Sequence, residues 1–378
     1  MKKKVLIYPF DRGGLTLLRN SFYPEDWEIV ALAAPRGWGY DGKDAGDIDY
    51  SEKTGMVVES DFDQALNKAD TVLFMKTDMP LDYDKVLKPN LFTAAQKGKS
   101  VACTLDLTES EVEFWGKQFS SNGGSFVYYN NNLDPIISED DVDVDEERIH
   151  NAFSPLMREI TVPVLMVLGF MENVSKFDIQ LSALRYFQEQ GYKPALITSK
   201  SYGKLGGAWP MPNFLFSTSI SESKKIILFN YYVSKVEKET QPDIIIIGVP
   251  GGLLPVNNMH VNRFGITAFE ITRAVEPDAA ILSIHYNDGD EDFYNRIALM
   301  AKYRFSSELS GVLIDRTWVE FHAKGLANHV STMRLHPDAY QKLPDSYRNF
   351  KLPIRYMPEQ TDIFDLVRNK LENQTSVM

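Results

Sequence analysis

One segment, residues 162–191, contains the parts of a strand–loop–helix unit in chain order. An apolar, β-branched run over 162–168 predicts a strand, and Gly169 opens the turn that follows it. The helix predicted from Lys176 repeats apolar residues at spacings of three and four, and Gly191 ends it. Backbone N–H groups and the positive end of a helix dipole surround the loop of such a unit. The segment therefore predicts a parallel α/β fold with an anion-binding loop.

This loop keeps the lysine of a phosphate-binding loop and lacks its metal ligand. In the usual pattern a glycine precedes the lysine, and a serine or threonine follows it to hold Mg²⁺. Here those positions are Ser175 and Phe177. Serine is small enough for the backbone to approach a phosphate, whereas phenylalanine cannot bind a metal. Taken alone, the loop is also compatible with an ordinary strand-to-helix turn that carries a surface lysine.

A second glycine-rich turn follows the most apolar strand of the chain. Residues 244–247 are four consecutive isoleucines, which indicates a central strand buried on both faces of a parallel sheet. Gly251 and Gly252 come directly after this strand. Ligands of open α/β sheets bind at the carboxyl ends of the strands, so we expect this turn and the lysine loop to line one cleft.

Composition restricts the classes of protein to which the chain can belong. Its 378 residues are enough for two domains, and 44% of them are hydrophobic, as in soluble globular proteins. No apolar run reaches the length of a membrane span or of a signal peptide's apolar core. The single cysteine, Cys103, excludes an internal disulfide framework, and the net charge of −12 argues against nonspecific nucleic-acid binding. We therefore expect a cytoplasmic protein that binds neither nucleic acid nor membrane.

Alternating strand-like and helical runs divide the chain into two α/β parts. Residues 1–130 predict a Rossmann-like domain, although the turn after its first strand is not a G-x-G-x-x-G fingerprint and predicts no dinucleotide. An acidic stretch over 131–155 predicts an interdomain linker. Strand and helix alternation resumes over 156–336, which predicts a degenerate P-loop NTPase-like domain. Residues 337–378 predict a C-terminal helical tail.

No metal site is predicted. His322, His329 and His336 recur every seven residues. On one helix that spacing separates neighbours by about 10 Å, which is too far for one metal ion.

The two loops together resemble those of dethiobiotin synthetase-like P-loop proteins, which combine G-x5-G-K-T with a buried strand that ends in E-G-x-G-G-L-L-x-P. The first loop matches in length, with Gly169 and Lys176 retained, and residues 251–255 fit the second motif with one position dropped. The resemblance implies that Asp315, after a later strand, stands at the base-reading position. It also implies that Gly248 replaces an acidic magnesium ligand, so we expect no efficient Mg²⁺-dependent NTPase activity.

The chain as a whole resembles a narrower family, the clostridial peptide maturation system proteins. The segments that carry this resemblance extend over most of the chain: 4–11, 176–180, 226–232, 244–255 and 264–271. Members of the family are encoded beside short ribosomal peptide precursors and radical-SAM-type modifying enzymes. The resemblance implies that the partners are a precursor peptide and its modifying enzymes, and it leaves a homodimer open. It implies no reaction, so the catalytic residues are unknown.

Two functions of different classes remain open from the sequence. The first is an accessory protein of peptide maturation that uses the loop to bind a phosphate-bearing ligand such as ATP or GTP, or to dock partners, with little NTPase turnover. The second is a transferase that resembles two-domain D-glutamate N-acetyltransferases, in which the loop would hold coenzyme A. Neither function requires Mg²⁺. For both, the predicted ligand-binding residues lie in the two turns and at two nearby positions: Gly169, Ser175, Lys176, Gly251, Gly252, His260 and Asp315.

Overall fold

The structure is a computed structural model of the chain. It describes residues 2–130, 156–172, 174–255, 261–324, 327–340, 347, 350–357 and 361–375. These residues form two compact units. The first unit contains the described residues up to 130 together with 200–210. The second contains the described residues of 156–199 and all those from 211 onward.

The first unit is a Rossmann-like α/β fold. Its sheet has six parallel strands in the order β3-β2-β1-β4-β5-β6, which is the strand order of dinucleotide-binding folds. The strands are β1 (Lys3–Tyr8), β2 (Trp27–Ala33), β3 (Val58–Glu59), β4 (Thr71–Phe74), β5 (Ser100–Cys103) and β6 (Phe126–Tyr128). The helices are α1 (Arg12–Asn20), α2 (Phe62–Leu66), α3 (Lys88–Gln96) and α4 (Glu109–Ser121), with shorter turns at Ala45–Asp49, Tyr83–Leu87 and Ser201–Gly206.

A carboxylate of the chain itself occupies the first helix N-terminus of this unit. Asp11 is buried and accepts hydrogen bonds from the backbone N–H of Gly13, at 2.8 Å, and of Gly14, at 3.2 Å. Thr77 Oγ1 donates to the other carboxylate oxygen at 2.6 Å. Burial raises the pKa of Asp11, and these hydrogen bonds partly oppose the shift. Because α1 is capped by Asp11, its N-terminus is already occupied where a Rossmann fold would bind a phosphate.

The second unit is a parallel α/β fold with P-loop topology. Its main sheet contains six parallel strands in the order β14-β11-β10-β7-β9-β8. These strands are β7 (Val164–Gly169), β8 (Pro194–Thr198), β9 (Ile244–Gly248), β10 (Ala279–Ile284), β11 (Leu309–Ile314) and β14 (Ile354–Tyr356). The helices are α5 (Lys176–Glu189), α6 (Glu222–Thr240), α7 (Ile266–Ala274), α8 (Glu291–Phe305), α9 (Pro337–Tyr340) and α10 (Thr361–Thr375), with short turns at Asn213–Phe216 and Asn262–Gly265.

These two sheets confirm the predicted fold class, a Rossmann-like part followed by a degenerate P-loop NTPase-like part. Every residue of β7, β9 and β10 is buried, as the continuous apolar runs in the sequence require. The helix predicted near the C-terminus is present as α10, whose Ile363 and Val367 are fully buried. This helix packs on the second unit beside β11.

His322, His329 and His336 do not lie on one helix, so the spacing argument that assumed a helix is wrong. The segment that follows β11 is an antiparallel hairpin made of β12 (Thr317–Lys324) and β13 (Ala327–Arg334). His322 and His329 are register partners across this hairpin, and His336 follows it. A distance calculated along a helix therefore says nothing about whether these residues can share a metal ion. In the described residues, no helix is long and apolar enough to cross a membrane.

Candidate functional site

The two glycine turns leave the same edge of the second sheet. β7 ends at Gly169 and β9 ends at Gly248, and these neighbouring strands are parallel, with Gly248 in register with Val167. The backbone N–H of Leu253, in the second turn, donates to the carbonyl of Gly169 at 3.0 Å. The structure therefore brings together the two loops that the sequence singled out.

Lys176 links the two loops. Its side chain is half-buried, and its Nζ donates a hydrogen bond to the carbonyl oxygen of Gly251. A Cβ at Gly169 would lie 2.8 Å from the backbone carbonyl oxygen of Met171 and 2.7 Å from Cδ of Lys176, so a larger residue here would clash with the loop backbone and displace the lysine. Gly251 has a φ of +75°, which also favours glycine. The ammonium group is held between the two turns at the first residue of α5.

A buried polar network fixes the residue before this lysine. Ser175 stands at the N-cap of α5 without making a side-chain capping hydrogen bond. Its Oγ donates instead to Oδ1 of Asp315 at 2.9 Å. Arg334 Nη1 donates to the same carboxylate oxygen, and Thr317 Oγ1 donates to Oδ2 at 2.6 Å. The carboxylate of Asp315 is fully buried, so this network ties the loop to the strand end after β11 and to the hairpin.

The resemblance implies a base-reading role for Asp315, and the structure places its carboxylate within this buried network. A base-reading residue must present polar atoms to a bound nucleotide, whereas both carboxylate oxygens of Asp315 are engaged by Ser175, Thr317 and Arg334. Asp315 holds the loop in place through the hydrogen bond that it accepts from Ser175. Sequence reasoning missed Arg334, the cation of the network, because it lies on β13 with no motif around it.

The two expected magnesium-ligand positions hold no oxygen ligand. Phe177 is 6% exposed and packs as a core residue in the first turn of α5. At Gly248 the side-chain space is filled by Gln180, since a Cβ built there would lie 2.1 Å from Gln180 Nε2. Within the residues described, no group of three or more His, Cys, Asp or Glu residues is arranged to hold a metal ion.

An aromatic cluster lies beside the lysine loop. The ring of Phe170 is 5.9 Å from that of His285 and 6.3 Å from that of Phe293, measured between centroids. The backbone N–H of Phe170 donates to the carbonyl of Ser283 at 2.8 Å, which attaches the loop to β10. Burial lowers the pKa of His285, and the nearby Asp315 opposes the shift.

Of the predicted ligand-binding residues, the structure assembles Gly169, Ser175, Lys176, Gly251 and Gly252 at one sheet edge and places Asp315 beneath them. His260 lies outside the described residues. Gly252 is buried next to Gly251, and its neighbour Leu253 makes the hydrogen bond between the loops.

Comparison with known proteins bears on the fold. No protein-family model matches this sequence, and no curated protein sequence matches it. A solved structure of a DUF1611 family protein from Anabaena variabilis is similar over 98% of this chain and 100% of its own, with a TM-score of 0.61 and 13% identity. That similarity supports the α/β architecture of the whole chain.

Two nucleotide-bound structures match only part of the architecture. Cobyrinic acid a,c-diamide synthase from Mycobacterium smegmatis with ADP and magnesium has 15% identity and a TM-score of 0.28, over 41% of this chain and 74% of its own. A nucleotide-binding protein from Archaeoglobus fulgidus in complex with ADP has 12% identity and a TM-score of 0.29, over 62% of this chain and 92% of its own. Neither likeness is close enough to transfer a ligand.

Proposed function

We propose that the second unit binds a phosphate-bearing ligand between its two glycine turns without metal ligands from positions 177 and 248. The observation that carries the proposal is the position of the Lys176 ammonium, which is half-buried between Gly169 and Gly251 at the start of α5. An anion at this point would meet the ammonium group, the helix N-terminus and the backbone of the loop together.

The charges around the loop favour an anion over a metal complex. A protein that transfers phosphoryl groups through Mg²⁺ normally holds the ion with a hydroxyl after the lysine and a carboxylate on the neighbouring strand. Phe177 and Gly248 supply neither group. Binding without turnover is the activity that this set of residues supports, since charge neutralisation would come from Lys176 and from backbone dipoles.

The biological setting that we propose is the maturation of a ribosomally synthesised peptide. The sequence resemblance to peptide maturation system proteins supports it, and the proposed partners are a precursor peptide and the enzymes that modify it. The ligand in this setting is a nucleotide such as ATP or GTP, and the protein acts as an accessory factor with little hydrolysis.

A transferase that binds coenzyme A is the second candidate. The same observation favours it, because the phosphates of coenzyme A need no divalent ion when a lysine and a helix N-terminus neutralise them. The two candidates differ in the ligand that the loop selects. Thermal unfolding with ATP, GTP and acyl-coenzyme A, each with and without Mg²⁺, separates them, because a ligand at 100 times its Kd raises stability by about 2.7 kcal/mol.

Replacing Lys176 by alanine is expected to weaken binding of the selected ligand about 30-fold, or ~2 kcal/mol, because a charge-assisted hydrogen bond to phosphate is lost. Isothermal titration calorimetry measures the change. Lys193→Ala is the matched control, since Lys193 is exposed at the opposite, amino-terminal end of β8. Equal affinities for wild type and Lys176→Ala would contradict the proposal, as would robust Mg²⁺-dependent ATP hydrolysis by the wild type.

Deletion of the gene in its producing strain is expected to abolish the mature modified peptide, measured by mass spectrometry of the culture. The wild-type gene should restore the peptide, whereas Lys176→Ala should restore little of it because the ligand no longer binds. An unchanged peptide after deletion would exclude the pathway. Full complementation by Lys176→Ala would instead make the protein a scaffold in which the anion site has no role.

A further inference from the structure

Gln180 is a buried polar residue beside the lysine loop, and the sequence patterns assign it no role. It lies one helical turn after Lys176 on α5 and is only 3% exposed. Its Oε1 is buried and has no hydrogen-bond partner within the described structure. Buried polar atoms normally have a partner, because an unpaired one keeps the full cost of desolvation. The missing donor points to a group that binds at this place.

The direction of the side chain places this amide near the ligand edge of the sheet. Side chains of an α-helix tilt toward its N-terminus, so Gln180 reaches back toward the turn that carries Lys176. A Cβ at Gly248, the last residue of β9, would lie 2.1 Å from Nε2 and 2.3 Å from Oε1 of Gln180. The amide therefore touches the strand end from which the second glycine turn departs.

This location is the one at which other P-loop proteins hold their metal. In those proteins an acidic side chain on the strand beside the loop binds Mg²⁺. Here the amide of Gln180 fills the space that the first carbon of such a side chain would need at position 248. A neutral amide presents a donor and an acceptor, and it lacks the charge that attracts a hard divalent cation.

We propose that Gln180 is a ligand-binding residue of the anion site and that its amide stands in place of the metal-binding carboxylate. The inference rests on the proposed function and adds the class of ligand. Nε2 donates to a phosphate oxygen, and Oε1 accepts from an O–H or N–H next to it. The ligand is thus a metal-free phosphate ester with a proton donor beside the phosphate, such as a hydroxyl, an amide or a protonated phosphate oxygen.

The substitution Gln180→Glu tests the assignment, because it keeps the shape of the side chain and restores a carboxylate. The probe is ATP or coenzyme A, whichever binds in a Lys176-dependent manner, titrated in EDTA and in Mg²⁺. We expect the wild type to bind equally in both buffers. The variant should bind the probe about tenfold more weakly in EDTA, because its carboxylate repels the phosphate. Its affinity should return to that of the wild type when Mg²⁺ is added, because the ion bridges the two groups. Affinity equal to wild type in both buffers would overturn the assignment.

Two further measurements separate this inference from the proposal on which it rests. Titration of Mn²⁺ alone should show a site in Gln180→Glu that the wild type lacks. Gln180→Met, which keeps the volume and removes the hydrogen bonds, should weaken the probe about fivefold in both buffers without a response to Mg²⁺. If Lys176→Ala weakens binding and Gln180→Met does not, the role of Gln180 is wrong and the anion site stands. If neither variant changes binding, the anion site itself is wrong.

Discussion

Replacing Arg334 by methionine is expected to lower the free energy of unfolding by about 3 kcal/mol and to weaken anion binding at the same time. The guanidinium is the cation beside the carboxylate of Asp315, whose side chain has no exposed surface. Without it, the carboxylate charge remains buried beside the hydroxyls of Ser175 and Thr317 and has lost its paired guanidinium. Ser175 precedes Lys176, so a displaced carboxylate also displaces the loop. Urea denaturation measures the stability, and calorimetric titration measures the binding.

A surface ion pair provides the matched control for this prediction. Arg296 and Asp292 are 3.1 Å apart, and their side chains are 70% and 72% exposed. Arg296→Met should therefore change stability by less than about 0.5 kcal/mol. Combining Arg334→Met with Asp315→Leu should recover most of the lost stability, because the unpaired buried charge disappears, while anion binding stays weak. If Arg334→Met has the same free energy of unfolding as the wild type, the network around Asp315 does not support the loop.

The parts of this fold that the sequence predicted are those encoded by local patterns. Continuous apolar runs marked β7, β9 and β10, because a strand covered on both faces must be apolar at every position. The convergence of the two glycine turns also followed, since the carboxyl ends of parallel strands meet at one edge. Both inferences use information that lies within a few residues of each element.

The supports of the site were missed because they come from distant parts of the chain. Arg334 contacts Asp315 only because a hairpin folds back after β11, and the seven-residue histidine spacing was considered on a helix instead. Gln180 looked like an ordinary helical residue. A signal for it existed: Gly248 leaves a space beside the loop, and the residue four positions after Lys176 is within reach of it.

Gly265, at the N-cap of α7, packs against the turn that follows β9. Gly265 has a φ of +70°, and a Cβ there would lie 2.1 Å from the carbonyl oxygen of Leu253, a backbone atom that cannot rotate away. Leu253 is the residue whose N–H donates to Gly169. Gly265→Ala should therefore lower stability by about 3 kcal/mol or more, as the sum of left-handed strain and overpacking, and should separate the two loops.

The control for Gly265 isolates the steric contact from the backbone strain. Gly191 has a φ of +87°, and no atom lies within 4 Å of a Cβ built on it. Gly191→Ala should therefore lower the free energy of unfolding by about 1–2 kcal/mol, which is the backbone strain of the left-handed region alone, and should leave ligand affinity unchanged. Because both substitutions add the same methyl group at positive φ, the difference between them measures the contact with Leu253. Equal losses of stability, or normal anion binding by Gly265→Ala, would mean that the second turn does not depend on this contact to hold Gly251 against Lys176.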